Sequence, residues 1–140
     1  MTFMKIPSIP KRGEIFSGPE IDNKFQTTKF KGIRWTKKHN MVLLINSAKS
    51  SFKDSVNEDK NEVIYTGTGE NDQKFGTDIV SICNSKIKDP DSILLYFEKP
   101  VTGKYVFKFP VKYLSHYKTN EENTKKIMRR VIKFKLKIID

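Results

Sequence analysis

Phe52-Lys53-Asp54 stands a short, charged loop ahead of Tyr65-Thr66-Gly67-Thr68-Gly69. Two aromatic rings and a carboxylate at that spacing can form the walls and floor of a pocket. Its occupant would be flat, stacked between the rings and read by a hydrogen bond it donates to the acid. The same residues also suit a plain hairpin. Glycines after a strand supply positive φ, Phe52 and Tyr65 would then pack into a core, and Asp54 would cap a turn. Residue types alone leave both readings open.

Catalytic chemistry finds little support. The two histidines, His39 and His116, form no metal-spaced pair, and Asp54, Glu58, Asp59 and Glu62 fall in a charged loop that suits solvation better than a metal. "GTGEND" lacks the Lys-Ser/Thr that reaches phosphates and magnesium in a Walker loop. Neither a serine nucleophile elbow nor a Cys-His pattern is present. Cys83 is the lone cysteine, which excludes an internal disulfide and a cysteine-rich zinc site, and its apolar setting reads as a buried small hydrophobe. We therefore expect no enzyme and no cofactor.

Basic residues cluster instead. The 140 residues carry 27 Lys+Arg against 16 Asp+Glu, a formal charge of +11 that favours polyanionic partners, although solubility alone would account for it equally. "KFKGIRWTKK" holds Lys29, Lys31, Arg34, Lys37 and Lys38 around Phe30 and Trp35, with no acid among them. Cations attract phosphates and aromatics give bases a surface to stack on, so Trp35 is a candidate for stacking. Trp35 and Phe30 could equally be core residues flanked by lysines. No apolar signal core opens the chain and no stretch approaches membrane-spanning length, so a cytoplasmic protein with no membrane partner is expected.

The elements that must position these residues can be read from periodicity. Length suits one domain over residues 1–140, and 10 Phe, 5 Tyr and 1 Trp suffice for a core. The proline-bearing first dozen residues read as an extended lead-in, and "GEIFSGPEIDNKF" as turn formers around short apolar patches. Met41 to Ile45 is a continuous apolar run with β-branched members, a buried strand. "NEVIYTG" reads as a strand ending in a turn, "TDIVSICNSKI" as a short amphipathic helix, and "DSILLYFEKP" as an inner strand closed by proline. "GKYVFKFPVKYLSHY" alternates as a half-exposed strand would. "TNEENTKKIMRR" has a cap, acids first and bases last, the order a helix dipole prefers. In "VIKFKLKII", Ile132, Phe134, Leu136 and Ile138 share one face, and Lys133, Lys135 and Lys137 form a basic face opposite, candidates for phosphate contact. The sum is a strand-rich α+β domain, a curved or barrel-like sheet with one or two small helices.

The order "GEIFSGPEI", "KGIRW", "MVLLINSAKSSFKD", "EVIYTGTGENDQ" and "CNSKI" resembles the SRA-like (SET and RING associated) domain, a PUA-like fold, in the form attached to modification-dependent restriction endonucleases. The likeness runs over roughly residues 13 to 110, and is sharpest where an aromatic-x-Asp loop is paired with Tyr-Thr-Gly and a following Asp-Gln. It implies a PUA-like β-barrel that binds duplex DNA and flips one base into a pocket. Gly32 and Ile33 then fall at the pocket rim, Phe52 and Tyr65 sandwich the base, Asp54 accepts from the exocyclic amine of cytosine, and Thr66 lines the wall. Phe52 stands where the family usually has Tyr, Ser50 and Ser51 where it has paired glycines, and Ser55 where a second acid is common.

The function so implied is a non-catalytic DNA-recognition domain. Its target would be duplex DNA carrying a modified cytosine, 5-methyl or 5-hydroxymethyl, and cleavage would come from a nuclease or ATPase domain or subunit of a restriction system, with this chain then one piece of a larger protein. The alternative is a PUA or YTH-like module for RNA or N6-methyladenine.

Overall fold

The computed structural model describes residues 8–27, 32–36, 40–48 and 54–139. Phe52, Lys29, Lys31, Lys37 and Lys38 lie outside them, so the expectations placed on those residues are not addressed by it.

Eight strands form one sheet in the order β2-β3-β6-β7-β8-β5-β4, with β1 beside β7. They are β1 (Ile15–Phe16), β2 (Ile33–Trp35), β3 (Met41–Ser47), β4 (Ser55–Asn57), β5 (Glu62–Thr66), β6 (Ile93–Val101), β7 (Lys104–Glu122) and β8 (Met128–Ile138). Among the described residues, two α-helices, α1 (Gly18–Phe25) and α2 (Ser81–Lys88), and a short 3-10 helix (Glu58–Lys60) complete it. None of these is long and apolar enough to cross a membrane.

The apolar runs explain the layering. β3 pairs with β6 in parallel and both are buried over Met41–Ile45 and Leu94–Phe97. A strand with no polar face must be covered on both sides. Val42, Leu44, Leu94 and Tyr96 face an inner core shared with Val63, Tyr65, Ile132, Phe134 and α2. Leu43, Ile45, Leu95 and Phe97 face a second core under α1, where Ile21 and Phe25 pack against Phe16. The sheet curls around the inner core. A side chain links the two ends of the sheet, since the Tyr65 hydroxyl on β5, the strand next to edge strand β4, lies 3.0 Å from the Gly32 carbonyl beside edge strand β2.

Three departures from the sequence reading have clear causes. The segment read as turns around apolar patches holds α1. Ser17 caps it by accepting from the Glu20 amide while the Glu20 carboxylate accepts from Ser17 N, with Pro19 in the first turn. The segment read as a helix, around Thr119–Arg130, is instead the tip of the β7–β8 hairpin. Glu121 stands opposite Arg129 and Glu122 opposite Met128, and Arg129 Nη1 donates to the carbonyls of Glu121 and Glu122 at 3.0 and 2.7 Å. Of the acids and bases that suggested a dipole order, Glu121 and Arg129 therefore face each other across a ladder. Finally, Pro100 does not close its strand, since β6 runs on to Val101, and β7 continues through Pro110. A strand residue's N–H and C=O point to the same side. Pro110 O accepts from Ile139 N at 3.0 Å, and the missing reciprocal donor to Ile139 O is supplied by Arg12 Nη2 at 3.2 Å.

The capping box gives a direct check on α1. Ser17→Ala should lower the free energy of unfolding by about 1 kcal/mol, read by urea denaturation, whereas Ser17→Asp, which keeps the acceptor, should stay within about 0.5 kcal/mol of the parent.

Candidate functional site

Strand alternation sends Val63 and Tyr65 of β5 into the inner core. Tyr65 is 3% exposed and meets Tyr96 edge-on, with centroids 6.3 Å apart. Its hydroxyl sits between two carbonyls, Gly32 O at 3.0 Å and Ile45 O at 3.1 Å. Burial, then the nearby Asp54 charge, hold the phenol well above its usual pKa, so it stays a neutral donor. A Cβ on Gly32 would lie 3.4 Å from that hydroxyl, so Gly32 gives the tyrosine its seat. Ile33 beside it is buried in the same core.

Asp54 is half-buried, and its Oδ1 accepts from the Thr66 amide at 2.7 Å. Its pKa is pushed from the ordinary 3.8 up to about 6. Burial is the main cause. The Thr66 amide and hydroxyl and the Lys133 charge pull the other way, and Glu121 adds to the rise. The folded chain thus holds this proton more tightly than the unfolded chain does. Stability drawn from Asp54 is present at low pH, falls as the pH rises from about 4 to about 6, and is flat above that. An ionised Asp54 costs the fold on the order of 2 to 3 kcal/mol. A side chain needed only to cap a turn would carry no such cost in solvent.

Thr66 stands opposite Lys133 in the β5–β8 ladder. Lys133 is 4% exposed, its Nζ 2.7 Å from Thr66 Oγ1 and 2.7 Å from Glu121 Oε2. This corrects the basic face expected of β8. Lys133 is drawn inward by an acid and a hydroxyl, Lys135 is half-buried 3.8 Å from Glu62, and only Lys137 of the three is exposed. The core face, Ile132, Phe134, Leu136 and Ile138, is as read.

The Thr-Gly-Thr-Gly run is not a hairpin turn, because β5 leads into a long loop and then α2. Two buried amide side chains hold that loop, Gln73 against β8 and Asn84 from α2. Gln73 Nε2 donates to Gly67 O at 2.8 Å while its Oε1 accepts from Ile132 N at 2.9 Å. Asn84 of α2 accepts from Thr68 N at 2.8 Å and donates to Thr68 O and Lys74 O. A Cβ on Gly67 would stand 2.8 Å from Asn84 Oδ1 and 2.9 Å from Gln73 Oε1, so only glycine fits. Gly69 is required for another reason, its φ of +133°. Gln73 and Asn84 were legible as part of "ENDQ" and "CNSKI", yet nothing in their types announced a bracing role.

The other candidates diverge. Trp35 packs beside the inner core with Lys86 over its ring at 4.9 Å. Arg34, its strand neighbour, points the opposite way and donates to the Tyr105 hydroxyl at 3.1 Å, in the cluster under α1. Phe52, the expected partner ring of Tyr65, is outside the described residues. Cys83 is buried, as its setting suggested.

Gly67→Ala should cost about 2 kcal/mol or more in urea unfolding, since two hydrogen-bonded amides must give way together. Gly18→Ala, where the new Cβ meets only an ordinary contact at 4.0 Å, should change stability by less than about 0.5 kcal/mol.

Comparison with known proteins bears on the whole chain. The model of a family described as "ScoMcrA-like, SRA domain" matches residues 12–140. Among solved structures, the sulfur-binding and SRA domains of ScoMcrA complexed with phosphorothioated DNA align with a TM-score of 0.70 at 19% identity, over 94% of this chain and 40% of that one. The DNA modification-dependent restriction endonuclease AspBHI aligns with a TM-score of 0.64 at 16% identity, over 86% of this chain and 37% of that one. The SUVH5 SRA domain in complex with methylated CHH DNA gives a TM-score of 0.66 at 18% identity, over 97% of this chain and 94% of that one. No curated protein matches the sequence. The structural likenesses confirm the curved, strand-rich SRA-like fold with its two small helices, and with the family match across nearly its full length the chain belongs to the ScoMcrA-like SRA domains.

Proposed function

We propose that this chain is a non-catalytic reader of modified DNA that draws one base out of the duplex and inspects it beside Asp54. The observation that carries the reading is the costly carboxylate itself: Asp54, half-buried and with its pKa near 6, is fixed against the first residues of a Tyr-Thr-Gly segment in a chain of the SRA family. An extruded base loses its stacking neighbours, and aromatic faces replace them. Phe52 is the ring we assign to that role, with Thr66 on the wall, Gly32 and Ile33 at the rim, and Tyr65, its ring packed in the inner core, behind them. A carboxylate tells cytosine, which offers the N4 amine, from thymine, which presents a carbonyl there. Lys29, Lys31, Arg34, Lys37, Lys38 and Lys135 are assigned to phosphates and Trp35 to stacking.

The relatives support the class of target. ScoMcrA's domains were captured with phosphorothioated DNA and the SUVH5 domain with methylated DNA. Since ScoMcrA and AspBHI are restriction endonucleases of which this chain spans 25% and 37%, we assign cleavage to a nuclease or ATPase module of a restriction system outside residues 1–140. The modification we propose is 5-methyl- or 5-hydroxymethylcytosine.

A panel of matched duplexes bearing cytosine, 5-methylcytosine, 5-hydroxymethylcytosine, N6-methyladenine or a phosphorothioate, with an RNA of the same sequence, tests this by fluorescence anisotropy. The parent should prefer a modified cytosine. Asp54→Ala should erase about tenfold or more of its preference over thymine. An aspartate accepts fully only when ionised, so the parent's preference should also weaken by up to about tenfold per pH unit below about 6, and Asp54→Ala should lack that dependence. Preference for RNA or for N6-methyladenine, or a preference indifferent to Asp54, would refute the assignment.

A further inference from the structure

The Lys133 ammonium is the most deeply buried charge beside the candidate pocket, and its position defines a role other than phosphate binding. An ammonium has three donors and no acceptor. At 2.7 Å from Thr66 Oγ1 it must donate, which occupies a lone pair of that oxygen and leaves the hydroxyl proton to point elsewhere. The acceptor it serves is Asp54, the carboxylate already bonded to the amide of the same threonine. Glu121, at 2.7 Å, pairs with the ammonium and fixes its position. The chain of contacts runs Glu121, Lys133, Thr66, Asp54, drawing on β7, β8 and β5 in turn. Tyr65 and Tyr96 also face Asp54, and both phenols are neutral with raised pKa values, so Lys133 and Glu121 are the charges that act on it.

We propose that Lys133 is a positioning residue for base discrimination: acting through the Thr66 hydroxyl, it fixes the Asp54 carboxylate so that its remaining acceptor sites face the base, without itself touching DNA. This rests on the assignment of Asp54 as reader. A purely structural role explains the arrangement less well, since a buried ion pair can often be replaced by apolar side chains without loss of stability. A phosphate role is unsuited to a side chain enclosed between Glu121 and Thr66.

The test compares two duplexes, one with 5-methylcytosine and one with thymine in its place. Thymine also carries the 5-methyl group, so the pair isolates the groups around ring position 4. Thr66→Val removes the hydroxyl at nearly constant volume, Thr66→Ser restores it, and Lys133→Met combined with Glu121→Leu removes both charges without stranding either. Affinity is measured across a salt series, and the Asp54 carboxyl is titrated in the free chain by carbon NMR. Thr66→Val and the Lys133→Met/Glu121→Leu variant should each lower the 5-methylcytosine-to-thymine ratio by about tenfold, with the salt slope unchanged. Thr66→Val should move the Asp54 midpoint upward, and Thr66→Ser should return both readouts towards the parent. A uniform loss of affinity with a salt slope shallower by about one would mean a phosphate contact and overturn the proposal. So would a midpoint and ratio unmoved in folded variants. If the parent itself shows no 5-methylcytosine preference, the reader assignment falls, while the titration still decides whether Lys133 and Thr66 govern Asp54.

Discussion

A carboxylate drawn out of water must be met by donors, and among the described residues those at Asp54 come from Thr66. That single contact depends on most of the molecule. Thr66 is placed by the β5–β8 ladder and steadied by Lys133. The loop that follows is held on β8 by Gln73 and on α2 by Asn84. The strand that precedes it is fixed by Tyr65, whose hydroxyl reaches across the inner core to the backbone near β2 and β3. Removing water from Asp54 costs stability, and the surrounding bonds reduce that cost without cancelling it, so its pKa remains near 6.

The plain reading of the Tyr-Thr-Gly segment and its neighbouring acid holds for two residues. Tyr65 does pack into the core, and Asp54 does hold a backbone amide. Yet the same contacts keep a poised acid at the edge of that core, which a solvated turn would not. Rigid support behind a recognising group is what base discrimination requires, because a loosely held acceptor distinguishes donors poorly.

Much of the fold was legible where periodicity was strong. Met41–Ile45 and the β8 core face announced their burial through spacing, while in the α2 segment Cys83 and Ile87 are buried but Ile79 and Val80, ahead of the helix, are exposed. The failures arose where charge or local chemistry stood in for long-range pairing. The acid-to-base order near Glu121 and Arg129 mimics a helix dipole, but only the hairpin register, invisible in a single sequence, shows them opposite one another. Lys133 looked exposed because its neighbours alternate; its burial depends on Glu121, distant in sequence. The α1 capping box was present in Ser17 to Glu20 and was masked by the turn propensity of Gly18 and Pro19. At the site, Asp54, Tyr65, Thr66, Gly32 and Ile33 do come together, whereas Arg34 and Trp35 part to opposite faces.

What ties these parts to a function is the claim that the acid awaits a nucleobase removed from its stack. The most direct measurement places 2-aminopurine next to a 5-methylcytosine in a duplex and follows its fluorescence as the chain is added to saturation. Extrusion of the neighbour unstacks the probe, so emission should rise several-fold with the modified duplex and stay low with an unmodified one. Saturated binding with emission unchanged would mean that the base never leaves the helix, and would contradict the account.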